Sequence, residues 1–369
     1  TDSTRGVQKG LNPNTNAAEG NQAPNGVTVF GTDGFTVVDN SGGGASVNGN
    51  GITYVAWCWK AGEGTTSSNT DGSITSTVQA NTDAGFSIIQ YTGTGSAATI
   101  GHGLGVAPDI IFSKRTSSSA DWVVGVNDWT KYLEPNGTPG FRTASSVWNN
   151  TAPTSTVFSV AGSGGSNGNG ETNIAYAFKS IDGFSKIGSY TGNGTTLIVE
   201  TGFEPSFILI KSTVGADNWR LYDTARGITA GGFLEINRSD ADDTSNAPNI
   251  NILSNGFEIT AGGTTVGNNV DGNLYIYMAF ATDPDTEAPT LASSFNIETY
   301  TGTGSARSIT GLGFSPNFVW LKERGQAANH RFIDTNRGAT KAISSSLTNA
   351  EIPISIRAIP QTCWLTFST

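Results

Sequence analysis

Charged residues, cysteine and methionine are all scarce in this chain of 369 residues. Charged side chains make up 14% of the sequence, whereas globular proteins average roughly 25%. The two cysteines, Cys58 and Cys363, are too few for a disulfide framework, and their separation does not fit a zinc site. No apolar run reaches the ~18 residues of a membrane-spanning helix. These absences exclude a cystine-rich scaffold and predict no insertion into a membrane.

The net charge of −10 also limits the partners. Nucleic acids and anionic membranes both bind basic surfaces, so neither is an expected partner. The chain is instead rich in glycine and aromatic residues, with 48 glycines, 18 phenylalanines and 8 tryptophans. Abundant glycine, serine, threonine and asparagine with little charge is typical of β domains that are joined by long polar loops.

One stretch of the sequence occurs three times. Residues 183–227 are matched by residues 294–338 and, less closely, by a copy that begins at Gly85. The aligned tyrosines of the three copies, which are 99 and 110 residues apart, are Tyr91, Tyr190 and Tyr300. Units of solenoids and propellers have ~20–50 residues, so a repeat of this length indicates a whole domain.

Each repeat predicts about seven short strands and no long helix. Residues 54–60 and 275–281 alternate between apolar and polar or small side chains, which predicts half-buried strands. The strands that follow a proline, at 109–114, 206–211 and 317–322, are almost continuously apolar and are predicted to be buried on both faces. We therefore predict an all-β fold of tandem β-sandwich or jelly-roll domains of about 100 residues. The alternative is a β-propeller whose blades are half-repeats.

The order of the half-repeats divides the chain into segments. The predicted segments are the back half of a repeat domain (1–62), a Ser/Thr/Gly linker (63–83), two complete repeat domains (84–181 and 182–284), a linker (285–293), and the front half of a repeat domain with a divergent tail (294–369). Because the chain opens inside a repeat, we expect it to be a piece of a longer polypeptide. Half a sandwich exposes unpaired strands. The two halves therefore either close on each other within one chain, giving a ring of three domains, or pair between copies, or are covered by other chains.

A set of motifs recurs in the repeats and carries a resemblance. The motifs are Tyr-Thr-Gly-Thr/Asn-Gly, the proline-led strand that ends in lysine, Trp-x-Leu-Tyr-Asp-Thr-x-Arg-Gly at 219–227, Ser-Asn-Gly-Phe at 254–257 and Tyr-Ile-Tyr-Met-Ala-Phe-Ala at 275–281. This set resembles tandem domains in tail-fibre and other virion structural proteins of tailed phages, which are grouped with concanavalin A-like (LamG-like) β-sandwiches. The resemblance implies a role at a virion surface or in adhesion, and it transfers no catalytic residue. Residues 84–181 depart from the pattern because they lack the Asp-Thr-x-Arg-Gly box.

That box places an aspartate and an arginine three residues apart, followed by glycine, at Asp2/Arg5, Asp223/Arg226 and Asp334/Arg337. As a functional site it could bind a polar ligand at three places. We favour a structural interpretation, in which the aspartate accepts main-chain N–H bonds in a turn, the arginine braces it, and the glycine adopts a positive φ.

Tryptophans and clustered aspartates are two further candidates. Trp122 and Trp219 could stack on sugar rings if they were exposed, although aromatic residues in β domains more often belong to the core. Asp240, Asp242 and Asp243 could contribute to a Ca²⁺ site, but their spacing fits no EF-hand and a solvated acidic loop is the favoured interpretation. We expect no other cofactor.

Other residue types are predicted to have structural roles. His330 aligns with the two tryptophans, and His102 aligns with Val199 and Thr310, so neither histidine is predicted to be catalytic. The three lysines that end the proline-led strands are expected to reach solvent or a carboxylate; they are Lys114, Lys211 and Lys322. The glycine-rich loops are expected to lie at equivalent rims and to be mobile; they span 41–51, 161–170 and 261–273.

No sequence motif of a nucleophile elbow, P-loop or zinc protease is present, and no strand alternates carboxylates as retaining glucanases do. This absence predicts a non-enzymatic protein, and the resemblance given above implies a structural or adhesion role in a virion, in a tail fibre or surface appendage that contacts host glycans. Its expected partners are other appendage subunits, including copies of itself, and its expected location is the virion or the extracellular space. The alternatives are a carbohydrate-binding module of a larger secreted enzyme and, least favoured, a depolymerase.

Overall fold

The structure is a computed structural model of the whole chain. The residues that it describes are 1–7, 9–21, 25–38, 47–62, 65–228, 232–243, 250–260, 267–282, 295–325, 330–334, 341–344 and 352–353. The predicted linker at 285–293, most of the divergent tail and Cys363 lie outside the described residues.

Antiparallel strands make up almost all of the regular structure. The first strands of the chain are β1 (Lys9–Gly10), β2 (Gly20–Asn21), β3 (Gly26–Gly31), β4 (Gly34–Val38) and β5 (Thr53–Trp59). The next are β6 (Ser67–Asn69), β7 (Ser76–Asn81), β8 (Phe86–Thr92), β9 (Ala98–Gly101), β10 (Ile110–Arg115), β11 (Val123–Val126), β12 (Lys131–Tyr132), β13 (Arg142–Thr143), the one-turn helix α1 (Ser145–Trp148), β14 (Val157–Val160) and β15 (Thr172–Phe178).

The second half of the chain continues the same pattern. Its first elements are β16 (Ser185–Thr191), β17 (Leu197–Glu200), β18 (Phe207–Ser212), β19 (Arg220–Asp223), β20 (Leu234–Glu235), β21 (Ile250–Leu253), β22 (Gly256–Ile259) and β23 (Leu274–Phe280). The last are β24 (Phe295–Thr301), β25 (Arg307–Thr310), β26 (Phe318–Glu323), β27 (Arg331–Asp334), β28 (Lys341–Ser344) and β29 (Ile352–Pro353). The prediction of an all-β, sandwich-like fold is confirmed.

The strands form three domains, each with a larger inner sheet and a smaller outer sheet. The composite domain contains β1–β5 and β24–β29, with inner order β24-β5-β26-β27-β28-β29 and outer order β25-β4-β3. The second domain contains β6–β15, with inner order β11-β10-β15-β8-β7-β6 and outer order β14-β9. The third domain contains β16–β23, with inner order β16-β23-β18-β19-β20 and outer order β17-β22-β21.

The two halves of the composite domain come from opposite ends of the chain. Strand β24 pairs with β5 over seven residues, from Phe295↔Trp59 to Thr301↔Thr53. Strand β25 pairs with β4 in the outer sheet. The structure therefore has the closure within one chain, as a ring of three domains.

Two sequence-based interpretations are wrong. Residues 63–83 are not a linker, because β6 and β7 add two strands to the inner sheet of the second domain. Ile74 and Val78 supply the apolar contacts of this segment, and the polar side chains between them hid the pattern. The propeller alternative is wrong as well, because β8 of one half-repeat pairs with β15 of the other half-repeat instead of forming a separate blade.

The central strands of each inner sheet are buried on both faces. In β5, Trp57 and Trp59 face a core that all three domains share, while Tyr54 and Cys58 face the core of the composite domain alone. Strands β15 and β23 alternate in the same way between the shared core and the cores of their own domains. The prediction that residues 54–60 and 275–281 are half-buried is therefore wrong. In a lone sandwich one face of this sheet would be exposed to solvent, but here the neighbouring domains cover that face. The prediction of two buried faces for the proline-led strands is confirmed.

Trp59 lies at the centre of the shared core. The centroid of its ring lies 4.8–6.1 Å from the ring centroids of five phenylalanines, which come from all three domains and are Phe178, Phe207, Phe280, Phe295 and Phe318. Burial of one such side chain contributes about 1.5–3 kcal/mol, and favourably oriented ring pairs add about 0.5–1.5 kcal/mol each. The three domains are thus held together chiefly by aromatic packing.

The Tyr-Thr-Gly-x-Gly motif fastens each glycine-rich loop to its own domain. The tyrosine hydroxyl donates to a main-chain carbonyl in the loop, in the pairs Tyr91–Ser166, Tyr190–Asn268 and Tyr300–Val47. The next loop residue is an asparagine whose Oδ1 accepts a main-chain N–H of the motif; these asparagines are Asn167, Asn269 and Asn48. The described parts of the three loops therefore lie at equivalent rims, as predicted. Their mobility stays a prediction.

Replacing Trp59 tests whether the core is shared. We expect Trp59→Ala to lower the free energy of unfolding by about 3–5 kcal/mol, because a large buried aromatic side chain leaves a cavity. In the wild type, chemical denaturation followed by fluorescence and by circular dichroism should give a single transition, because the three domains share one core. The matched control is Ile198→Ala, whose side chain is 58% exposed and which should change stability little. A loss below about 1 kcal/mol for Trp59→Ala would contradict a shared core.

A second variant tests the close approach of the motif to the glycine loop. A Cβ atom on Gly192 would lie 2.2 Å from the carbonyl oxygen of Val270, which cannot move without disturbing the loop. We expect Gly192→Ala to reduce the stability by about 1–3 kcal/mol through overpacking. The control is Gly325→Ala, where a Cβ atom meets nothing within 4 Å. Equal unfolding midpoints for the two variants would argue against this role.

Candidate functional site

The residues singled out in the sequence meet at the seams between domains. At the second–composite seam, Trp122 Nε1 donates to Asn12 O (2.6 Å). At the third–second seam, Trp219 Nε1 donates to Glu134 O (3.0 Å). At the composite–third seam, His330 Nε2 lies 3.2 Å from Glu235 O. The three aligned residues thus make one kind of contact, each from its own domain to a main-chain carbonyl of the next.

Burial decides what the two tryptophans can do. Trp122 and Trp219 are each 1% exposed. A sugar ring stacks on an open aromatic face, and neither indole offers one. Both side chains instead belong to the shared core, which is the interpretation that aromatic residues in β domains favour.

The three lysines that end the proline-led strands lie at the same seams. Each is buried, with an exposure of 0 or 1%. The prediction that their ammonium groups reach solvent or a carboxylate is wrong, because the bonds found for them end on main-chain carbonyl oxygens. The bonds run from Lys114 Nζ to Asn16 O (3.1 Å) and Ala120 O (2.7 Å), from Lys211 Nζ to Thr138 O (3.0 Å) and Asp217 O (3.0 Å), and from Lys322 Nζ to Glu323 O (2.6 Å).

Two of these lysines join neighbouring domains directly. Asn16 belongs to the composite domain and accepts from Lys114 of the second domain, and Thr138 of the second domain accepts from Lys211 of the third. Burial lowers the pKa of Lys114 to about 7 and the pKa values of Lys211 and Lys322 to about 8. A lowered lysine pKa is often a sign of catalysis. Here the amines are closed off from solvent and held by carbonyls, so the shift follows from their structural position.

The Asp-Thr-x-Arg-Gly box forms a buried ion pair. Asp223 Oδ1 accepts the main-chain N–H of Arg226 (3.0 Å), and Asp223 Oδ2 accepts from Arg226 Nε (2.6 Å). Gly227 follows with a φ of 80°. The pair reaches into the composite domain, where Trp57 Nε1 donates to Asp223 (3.1 Å) and the Arg226 guanidinium lies over the Trp57 ring. The structural interpretation of the box is confirmed at this position.

Asp2 and Arg5 repeat the arrangement at the next seam. Their side chains are fully buried and form an ion pair, and both contact the hydroxyl of Tyr176 in the second domain. In the third copy of the box, the main chain of Asp334 pairs with Phe318 in β26. Arg337 lies outside the described residues.

A third charged residue completes each buried pair. Asp242 accepts from Arg226 Nη1 (3.0 Å), and Glu19 accepts from Arg5 Nη1 (3.2 Å). A buried guanidinium is stable only when its donors are satisfied, and the second acid accepts from the Nη1 donor that the aspartate does not bind. We call Asp223, Arg226 and Asp242, and equally Asp2, Arg5 and Glu19, the seam triads.

The second domain lacks a triad and replaces all of its members together. Val126 stands at the place of the aspartate, Trp129 at that of the arginine and Phe141 at that of the second acid. Val126 is fully buried, Trp129 packs in the core of the domain and Phe141 packs against the shared core. Well-packed apolar residues can replace a buried charge network without loss of stability.

The acidic loop at 240–243 does not gather its carboxylates. Asp242 is bracketed by Arg226 and by Arg324 Nε (2.9 Å), whereas Asp240 pairs with the exposed Arg238. Within the part of the chain that the structure describes, there is no group of three or more metal-ligating side chains. The geometry of the loop therefore suits ion pairing better than Ca²⁺ binding, and Asp243 faces a neighbouring cleft.

That cleft is a polar concavity beside the acidic loop. It has a volume of about 420 Å³ and is lined by Phe233, Glu235, Arg238, Asp240, Ala241 and Asp243. The side chains of Arg238 and Asp240 are about half exposed, at 52% and 55%. Burial raises the pKa of Glu235. The cleft offers an arginine and several carboxylates as hydrogen-bonding groups to a polar ligand.

His102, the second histidine, is part of the core of the second domain. Its Nδ1 accepts the main-chain N–H of Leu104 (3.2 Å), and its Nε2 lies 3.1 Å from Thr154 O. Burial lowers its pKa, so the neutral ring is favoured. Both nitrogen atoms are occupied by main-chain groups, in agreement with a structural role.

The role of the seam triads can be tested by giving the third domain the apolar residues that the second domain has at these positions. Arg226→Met leaves Asp223 buried without its partner and is expected to cost about 3–5 kcal/mol of unfolding free energy. The triple variant Asp223→Val, Arg226→Trp and Asp242→Phe installs the apolar set, and we expect it to lose less than half as much. Urea denaturation measures both. A triple variant less stable than Arg226→Met would show that the two sets are not interchangeable.

Comparison with known proteins gives one family. A family model described as a domain of unknown function (DUF7483) matches residues 1–284 and 291–359. No match was found among curated proteins or among solved structures. In the described residues, no helix has both the length and the apolar character of a membrane span. The match covers most of the chain, which therefore belongs to the DUF7483 family.

Proposed function

We propose that this chain is a non-enzymatic structural and adhesion unit of a phage tail fibre or similar virion appendage. The observation that carries the proposal is the use made of the recurring motifs. The tyrosines and asparagines fasten loops, the tryptophans and lysines join domains, and the Asp–Arg pairs are buried at seams. A set of motifs that serves only to build a closed ring suits a rigid building block.

The composition and the closure support the same role. An appendage must resist mechanical load and proteolysis, and a ring whose ends are paired by main-chain hydrogen bonds offers few open edges. The acidic surface and the polar loops suit a solvent-exposed particle. Other subunits of the appendage, including further copies of this chain, are the proposed partners, at the virion surface or in the extracellular space.

For adhesion we propose the cleft beside Glu235 as the contact with host glycans. Hydroxyl groups of a sugar would accept from Arg238 and donate to Asp240, which pair with each other and are both about half exposed. The same cleft is the observation that favours the second candidate function, a carbohydrate-binding module of a larger secreted enzyme. The two candidates share the binding chemistry and differ in the particle that carries the chain.

Three measurements on the purified chain and its source particle test the proposal. Immunogold labelling with antibodies to the chain should mark an appendage of the virion. A glycan array should give binding that Arg238→Ala/Asp240→Ala reduces at least tenfold, with Ile198→Ala as the exposed control. Incubation with the bound glycans should release no fragments. Unlabelled particles would refute the virion role, and released fragments would refute the non-enzymatic one.

A further inference from the structure

At the composite–third seam a histidine takes the position that a tryptophan holds at the other two seams. Where the second domain has Trp122 and the third has Trp219, the composite domain has His330. All three make the same contact with a main-chain carbonyl across a seam. An indole N–H keeps its proton at any physiological pH, whereas an imidazole titrates between about pH 5 and 8. Only this seam therefore has a contact of this kind that acid can change.

The hydrogen bonds of His330 define its protonation state. Trp320 Nε1 donates to His330 Nδ1 (2.8 Å), so this nitrogen carries no proton. The proton of the neutral ring is then on Nε2, which donates to Glu235 O (3.2 Å). The side chain is fully buried, and no water can replace either partner. A second proton on Nδ1 would turn the Trp320 bond into a contact between two donors.

The charges around the ring oppose that second proton. Burial lowers the pKa of His330 well below its usual value, and two nearby cations, Lys322 of the composite domain and Arg226 of the third domain, lower it further. The carboxylates at the seam are engaged elsewhere. Asp223 and Asp242 pair with arginines, Asp240 pairs with Arg238, Glu235 accepts from Asn218, and Glu323 packs beside Lys322. No carboxylate contacts His330 in the described residues.

We propose that the composite–third seam is an acid-sensitive joint, which opens when His330 takes up a proton while the other two seams stay closed. Opening lets the imidazolium reach water and separates it from Arg226, which belongs to the third domain. The ring would then loosen at one place, between strands β26 and β20, and would close again on neutralisation.

The sign of the pH dependence follows from linkage. Because the folded-state pKa of His330 lies below the open-state value of about 6.5, the closed state binds fewer protons, and closure weakens as the pH falls below about 6.5. Between pH 7.5 and 5.5 the closed-to-open ratio should fall roughly tenfold through this residue alone. Glu235 and Glu323 act in the opposite direction, because burial raises the pKa of each in the closed state.

Hydrogen exchange of the full chain at pH 7.5 and 5.5, corrected for the intrinsic rates, tests the joint. In the wild type, amides of 232–236 and 318–323 should lose about tenfold in protection at pH 5.5, whereas the matching amides of the sister seam, 132–138 and 207–212, should not. His330→Gln keeps a donor and an acceptor without titrating and should abolish the difference. His330→Trp, which carries the sister residue, is the second non-titrating variant and serves if the glutamine variant does not fold.

The exchange rates of the wild type and the variants support or overturn the acid-sensitive joint. Seam-specific loss in the wild type and not in either non-titrating variant supports the joint. Equal loss at the composite–third and third–second seams, or the same pH dependence in wild type and in a folded variant, overturns it. Trp219→His provides the converse, because it should transfer acid sensitivity to the third–second seam.

Discussion

The ring depends on inner sheets whose central strands are buried on both faces. A single sandwich of this kind would leave Trp57, Trp59, Phe207 and Phe280 in water, so each domain needs its two neighbours. The aromatic side chains supply the area, and the hydrogen bonds of the seams set the orientation. Removal of one domain would expose a contiguous aromatic surface on the other two, which no folded monomer tolerates well.

The buried ion pairs are less essential to the ring than the aromatic core. The second domain manages without a triad, using Val126, Trp129 and Phe141 in its place. Within one chain, the same position is thus filled by ions at some seams and by apolar side chains at another. The triads are therefore not required for closure as such. Where a triad is present, however, all of its members are needed, because the loss of one member leaves a buried charge without a partner.

Local patterns in the sequence were sufficient for the all-β class, the repeats and the turn at the Asp–Arg box. These features depend on residues close together in the chain. The seams were not predictable, because their acceptors are main-chain carbonyls of Asn12, Glu134 and Glu235, which carry no side-chain signal. The wrong assignment of residues 63–83 as a linker had a related cause. Two apolar residues, Ile74 and Val78, are enough to hold β6 and β7 in place when the rest of the core comes from elsewhere in the domain. The seven-residue step from Asn12 to Glu19 and from Glu235 to Asp242 is the one signal that could have revealed the triads.

Strand β5 lies between β24 and β26, whose residues are more than 200 positions away in the chain. Contacts over such distances are slow to form, because a long loop must close before the contact stabilises it. During synthesis, the aromatic side chains of residues 54–59 therefore stay uncovered until β24 and β26 leave the ribosome. The second and third domains can pair their own strands earlier and offer a partial template. The order of assembly is thus set by the chain itself, because β4 and β5 are made before the second and third domains and find their neighbours after them.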